Sequence, residues 1–182
     1  MTNLLPTKEQ FEAALKLAKG EWQKYLIRWG YAILGGSAAY WSGKYKRSLF
    51  RFCERLRKAG IEARAIVSKG DFTFYLIIGA EWAKLVDRVE AVMSSVSSVY
   101  AHLEREFPTE TERALRELRL RKRLRSLLAE CKDTLSAIGD YYGHSVRGYC
   151  NPQEAYNEAT LLVEKVEKTW GEMKDFVGIF LL

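Results

Sequence analysis

Between Trp82 and Leu103 the apolar residues fall at Trp82, Leu85, Val89, Val92, Val96, Val99 and Leu103, a spacing that alternates three and four without a slip. A half-buried strand would need apolar residues at every second position, whereas a helix gathers these seven onto one stripe. Three more segments carry the same spacing. The first runs Phe11, Leu15, Ala18, Trp22, Tyr25 and Trp29, opened by Thr7 and Gln10 in the pattern of a capping box. Gly20 interrupts its polar face at a cost of about 1 kcal/mol. Another runs Leu120, Leu124, Leu127, Cys131, Leu135 and Ile138. The last runs Ala159, Val163, Val166, Trp170, Met173, Val177 and Phe180, entered through Asn151 as N-cap, Pro152 at the first helical position and Glu154 two residues on. Short joints separate the last three helices, one at Phe107 and Pro108 and one expected as a loop from Gly139 to Cys150. Long helices joined this way pack antiparallel, seam against seam.

The pattern changes between Gly30 and Gly79. Gly30, Gly35, Gly36 and Gly43 break a short stretch with no clear period. A helix is expected from about Lys44 to Lys58, with Gly60 just past its end. Ile61, Ala63, Ala65 and Val67 then alternate with other residues, Lys69-Gly70-Asp71 turns, and Phe72, Phe74, Leu76 and Ile78 alternate again. This is a β-hairpin of two half-buried strands, which needs helices to lean on. The expected fold is α+β and predominantly α: a long antiparallel helix bundle carrying a module of one short helix plus a β-hairpin. Residues 1–79 would form the module and 80–182 the bundle, with any boundary near Gly79 and a single domain as the alternative.

Charge distinguishes the module. The chain of 182 residues carries a net charge of +6, which points toward anionic partners. Residues 41 to 70 hold nine Lys or Arg against Glu54 and Glu62, and residues 113 to 125 hold seven against Glu117. On the expected basic helix, Lys44, Arg47, Arg51, Arg55 and Lys58 fall within an arc of about 80°. Tyr45, Leu49, Phe52, Cys53 and Leu56 occupy the opposite side. Two readings follow. In one, the face is solvated and Glu54 pairs with Lys58 four residues on. In the other, the stripe is a footprint for phosphate.

The order helix, basic helix, two-stranded hairpin, long helix resembles that of winged helix-turn-helix modules, and the resemblance lies in element order alone. It implies that Lys44, Arg47 and Arg51 reach the major groove, that the turn at Lys69 touches backbone as a wing, and that the long helices dimerise. Arg116, Arg119 and Arg123, which share a helix face, would form a secondary patch. If both basic segments faced one way they would make a groove, with Tyr40, Trp41 and Tyr45 available for stacking. The expected function is therefore non-enzymatic nucleic-acid binding, duplex DNA favoured, by a homo-oligomer. The alternative is a helical structural or adaptor protein that self-associates through its valine seam and its apolar C-terminus, Phe176 to Leu182.

Other chemistry finds little support. Gly35 to Lys44 looks briefly like a phosphate loop, but Ala38 and Tyr45 stand where that motif needs Gly and Ser or Thr. Asp140, His144 and Cys150 fall close together and would make a thiolate pair only if the loop brought them into geometry. No metal-ligand spacing occurs, and neither a cofactor nor catalysis is expected. Cys53, Cys131 and Cys150 are odd in number and lack CxxC spacing, which suits a reducing compartment. With no signal pattern at the start and no membrane-length apolar run, a cytoplasmic location is expected. Asn and Gln total six against 47 Lys, Arg and Glu, a balance that resembles thermophile proteins.

Overall fold

The computed structural model describes residues 3–34, 42–68, 72–105 and 111–181. Along them run α1 (Lys8–Leu17), α2 (Glu21–Trp29), β1 (Tyr31–Ile33), α3 (Ser42–Lys58), β2 (Ala63–Val67), β3 (Thr73–Ile78), α4 (Ala80–Arg105), α5 (Thr111–Val146) and α6 (Pro152–Leu181). The fold is α+β and predominantly helical, as the stripes require.

The capping box opens α1: Gln10 N–H donates to Thr7 Oγ1 at 3.1 Å and Thr7 N–H donates to Gln10 Oε1 at 3.0 Å. The single helix expected over Phe11–Trp29 is instead two. Gly20 takes φ 90°, which is outside the helical region, and Gln23 Oε1 accepts from Lys19 N–H at 2.7 Å in the break. The fold-back lets Ala14 on α1 and Leu26 and Ile27 on α2 reach one core. Gly60 ends α3 at φ 84°, with Ile61 N–H donating to Leu56 O at 3.0 Å and Gly60 N–H to Arg57 O at 3.0 Å. These are the paired bonds of a Schellman end.

The three strands form an antiparallel sheet in the order β1-β3-β2. The hairpin is therefore not two half-buried strands on a single support. β3 is central and covered on both faces. Phe74, Leu76 and Ile78 enter a core with Leu49, Phe52 and Leu56 of α3 and Leu26 and Ile27 of α2. Tyr75 and Ile77 enter a second core with Trp82, Leu85 and Val89 of α4 and Cys131, Ile138 and Tyr142 of α5. A strand buried on both sides reads as a continuous apolar run rather than an alternation, and Phe74–Ile78 is such a run. β1 has only three residues, too few to display a period.

Both sheet edges are guarded by an arginine. At β1, Arg147 donates through Nε to Trp29 O at 3.1 Å and through Nη2 to Tyr31 O at 3.2 Å, with its guanidinium 4.1 Å from the Tyr31 ring centroid. At β2, Arg64 donates through Nη1 to Ala63 O at 2.8 Å while Asp87 of α4 accepts from its Nε and Nη2 at 2.7 and 2.8 Å. Charges placed so blunt an edge against stray strand pairing.

The bundle of α4, α5 and α6 packs on its seams: Val89, Val92, Val96, Leu103, Leu120, Leu124, Leu127, Val163 and Val166 are all buried. Asn151 Oδ1 caps α6 by accepting from Gln153 N–H at 2.9 Å and Glu154 N–H at 3.2 Å. The loop expected from Gly139 to Cys150 is largely absent, because α5 stays helical through Val146. Gly139 and Gly143 serve that helix by bareness. A Cβ on Gly139 would lie 2.4 Å from Tyr75 Cδ1, and one on Gly143 would lie 2.3 Å from Tyr31 Cδ1. Four residues apart, the two glycines let the sheet's tyrosines press against the α5 backbone. Tyr75 then donates its hydroxyl to Asp140 Oδ1 at 2.7 Å.

Candidate nucleic-acid interface

Helix α3 owes its position to Leu49, Phe52, Cys53 and Leu56, all buried against the sheet. Side bonds fix its rotation. Gln23 of α2 donates through Nε2 to Ser48 Oγ at 3.1 Å, and Trp22 meets Tyr45 with ring centroids 4.9 Å apart. Arg55 of the stripe turns inward: its Nη2 donates to Gln23 Oε1 at 2.9 Å and to Leu17 O at 3.4 Å, and its guanidinium lies 5.1 Å from the Phe52 centroid. Arg55 thus clamps α3 to the α1–α2 corner, and it is half-buried rather than presented to solvent.

The other four members of the stripe, Lys44, Arg47, Arg51 and Lys58, are exposed. None of the four makes an ion pair or a hydrogen bond with another described residue, and the Glu54–Lys58 pair of the solvated reading is not formed. The first turn of α3 holds no acid, while Lys44 sits within it. A cation at a helix N-terminus opposes the macrodipole by about 0.3–1 kcal/mol. The stripe is therefore uncompensated from within the described chain and partly unfavourable to its own helix.

The remaining expected contacts fall elsewhere. Lys69, Tyr40 and Trp41 lie outside the described residues; of the stretch from Tyr31 to Tyr40 in which a helix-turn-helix would need its first helix, Tyr31–Ile33 form strand β1 and residues 35–40 lie outside the described set. Arg116 belongs to α5, but its side chain is outside the described set. Arg119 and Arg123 are exposed on α5. Gly139 and Gly143, further along that helix, touch the sheet, Gly139 being the nearer of the two in sequence. At 1.5 Å per residue Arg123 stands about 24 Å up the bundle from it. The two basic segments are thus set at separate levels, and Tyr45, packed on Trp22, is half-buried.

The polar residues near the end of α5 are used structurally. Asp140 accepts from Tyr75, His144 meets Tyr31 edge-on at 6.0 Å and Tyr149 at 6.1 Å, and Cys150 Sγ lies 3.6 Å from Ser145 Oγ. Burial pushes the Cys53 and Cys131 thiols up to about 11. No group of three or more metal-ligating side chains occurs among the described residues, and none of the described helices is long and apolar enough to cross a membrane. Arg64 and Arg147, which guard the sheet edges, escaped the sequence reading because their partners lie far along the chain. Comparison with protein-family models, with curated proteins and with solved structures gave no match.

Proposed function

We propose that this protein binds nucleic acid, duplex DNA in preference, without acting as an enzyme, and that Lys44, Arg47, Arg51 and Lys58 of α3 carry the contact. The observation behind this reading is that four cations on one face of a rigidly held helix have no anionic partner among the described residues. Phosphates spaced along a groove would supply those partners, and release of their counterions would drive binding. Lys69, which falls between β2 and β3 in sequence, is the candidate backbone contact, and Arg119 and Arg123 form a separate secondary patch. The resemblance to winged modules rests on α3 directly preceding the β2–β3 hairpin, with β1 added to the far side of β3. The long helices are the candidate dimerisation region, and a cytoplasmic location is the matching expectation.

Fluorescence anisotropy of a labelled duplex across a salt series tests the proposal. Neutralisation of about four phosphates gives a slope of log K on log salt near −3.6. Arg47→Glu with Arg51→Glu should weaken binding at least about tenfold. Absence of binding at low salt, or indifference to the double reversal, would sink the reading. For the adaptor alternative, Val89, Val92 and Val96 of the seam are buried inside the bundle and Val99 is partly buried, while Phe176 is exposed among the described residues of the C-terminus.

A further inference from the structure

Among the described tryptophans Trp29 alone is exposed, and other aromatic rings surround it. Tyr25, one turn earlier on α2, lies 6.4 Å away between ring centroids. The Arg147 guanidinium lies 5.7 Å from the Trp29 centroid, and its Nε donates to Trp29 O at 3.1 Å. Against the cost of partial burial, the Tyr149 and Tyr25 side chains hold that guanidinium's pKa above its ordinary value. Tyr25 and Trp29 are each 43% exposed and Tyr149 is 70% exposed. Guarding the edge of β1 explains where Arg147 sits, but not why three aromatic rings around it are turned to solvent. A cleft of about 340 Å³ opens beside these rings, walled by Leu5, Phe11, Ile27 and Val146 and carrying Lys8 and Arg28. Arg28 and Val146 directly precede Trp29 and Arg147, so cleft and rings form one surface. On α2, Tyr25, Arg28 and Trp29 share an arc of about 100°. No carboxylate lines the cleft. Lys8 and Arg28 are exposed, and neither makes an ion pair or a hydrogen bond with another described residue.

We infer that this corner binds the unpaired nucleotides of a single nucleic-acid strand, with bases stacked on Trp29 and Tyr149 and phosphates held by Arg28 and Lys8. Every base has a π face, so exposed rings seat successive bases without reading their sequence. Rings and cations together, with no acid beside them, select a ligand that is both aromatic and anionic. A saturated acid would leave the rings uncovered, and a neutral aromatic would leave Lys8 and Arg28 unpaired. A duplex hides its base faces within the stack, so a strand offers both groups only where it is unpaired. Trp29 is fixed from behind by the bond to its own carbonyl, so little freedom is lost when a base covers it. The inference extends the nucleic-acid reading to unpaired strands and does not rest on the α3 stripe.

Fluorescence anisotropy of a labelled oligothymidine of about ten nucleotides, beside an abasic strand of equal length and charge, tests the site on the full chain. Phosphate contacts alone treat the two strands alike, whereas stacking should favour oligothymidine at least about tenfold. Trp29→Ala and Tyr149→Ala should each weaken oligothymidine binding at least about fivefold and leave abasic and duplex binding unchanged. Tyr149 is the more exposed of the two, so its variant keeps the test valid if Trp29→Ala disturbs Arg147. Arg28→Gln should make the salt slope for oligothymidine shallower by about 0.7. Base preference without duplex binding would sink the α3 reading and leave this one standing. Equal binding of the two strands, or oligothymidine binding that both aromatic variants preserve, would overturn the inference. So would thymidine monophosphate binding as tightly as the strand, which would make a free nucleotide the ligand, or a dimer that Trp29→Ala dissociates, which would make a second copy the cover.

Discussion

Gly139 and Gly171 both sit inside long helices, yet an added methyl meets different surroundings. At Gly139 the Cβ would fall 2.4 Å from a Tyr75 ring carbon, and at Gly171 nothing lies within 4 Å. Alanine gains about 1 kcal/mol of helix propensity at either position. Overpacking costs about 1–3 kcal/mol, so it outweighs that gain at Gly139 only. Gly139→Ala should therefore lower the urea midpoint and Gly171→Ala should raise it. A second residue-scale prediction concerns Arg64 and Asp87. The Arg64 guanidinium, bonded to both carboxylate oxygens, holds Asp87 below the usual carboxylate range. A depressed folded pKa contributes stability above the unfolded value of about 3.9 and loses it as pH falls through the folded value. Asp87 is about half exposed, so screening limits the contribution to about 0.5–1 kcal/mol. Denaturant titrations of Asp87→Asn should show that loss at neutral pH, with the gap to the unaltered chain closing below about pH 4. Neither contact was legible beforehand. Gly139 reads as a helix breaker until Tyr75 is known to face it, and Arg64 and Asp87 are far apart in sequence.

At the scale of elements, α3 performs two jobs with one set of residue types. Its arginines look alike in sequence, and the arc of about 80° joins Arg51 and Arg55 without distinguishing them. Arg55 lies at the border of the arc nearest α2, where Gln23 accepts from it. Arg55→Met should cost about 1 kcal/mol of stability by removing the hydrogen bonds to Gln23 Oε1, which keeps its bond from Lys19 N–H, and to Leu17 O, while leaving the salt slope of duplex binding nearly unchanged. Arg51→Gln should do the reverse, with stability kept and the slope shallower by about 1. Equal effects of the two variants on the slope would mean that the clamp opens on binding. Caps and seams were legible because each is written within a few consecutive residues, as with Thr7 and Gln10 or Val89, Val92 and Val96. The break at Gly20 was hidden, because Phe11 to Trp29 keep helical spacing across it. The last turns of α5 were hidden for the opposite reason: glycines and tyrosines that read as loop are held helical by the sheet they pack on.

For the whole molecule the central question is whether the module and the bundle unfold separately. Gly79 is the boundary that sequence suggests, yet the strand just before it divides its side chains between both cores. Phe74 and Ile77 are each fully buried on β3, one in the core with α2 and α3 and the other in the core with α4 and α5. Truncating either to alanine removes about 2–5 kcal/mol of packing. In a molecule of two independent domains, Phe74→Ala would weaken only the amides of α1 to α3, and Ile77→Ala only those of the bundle. β3 cannot leave one core while staying in the other, since both sets of side chains hang from one backbone. Native-state hydrogen exchange should therefore show each variant lowering the opening free energy of the slowest amides in α3 and in α5 by similar amounts, within one transition. Divergent losses in the two halves would restore the boundary at Gly79 and make α3 a module held only loosely to its bundle. Shared losses would mean that the cationic face of α3 stands on the whole molecule, which fixes its charges at a constant height and orientation relative to whatever anion it meets.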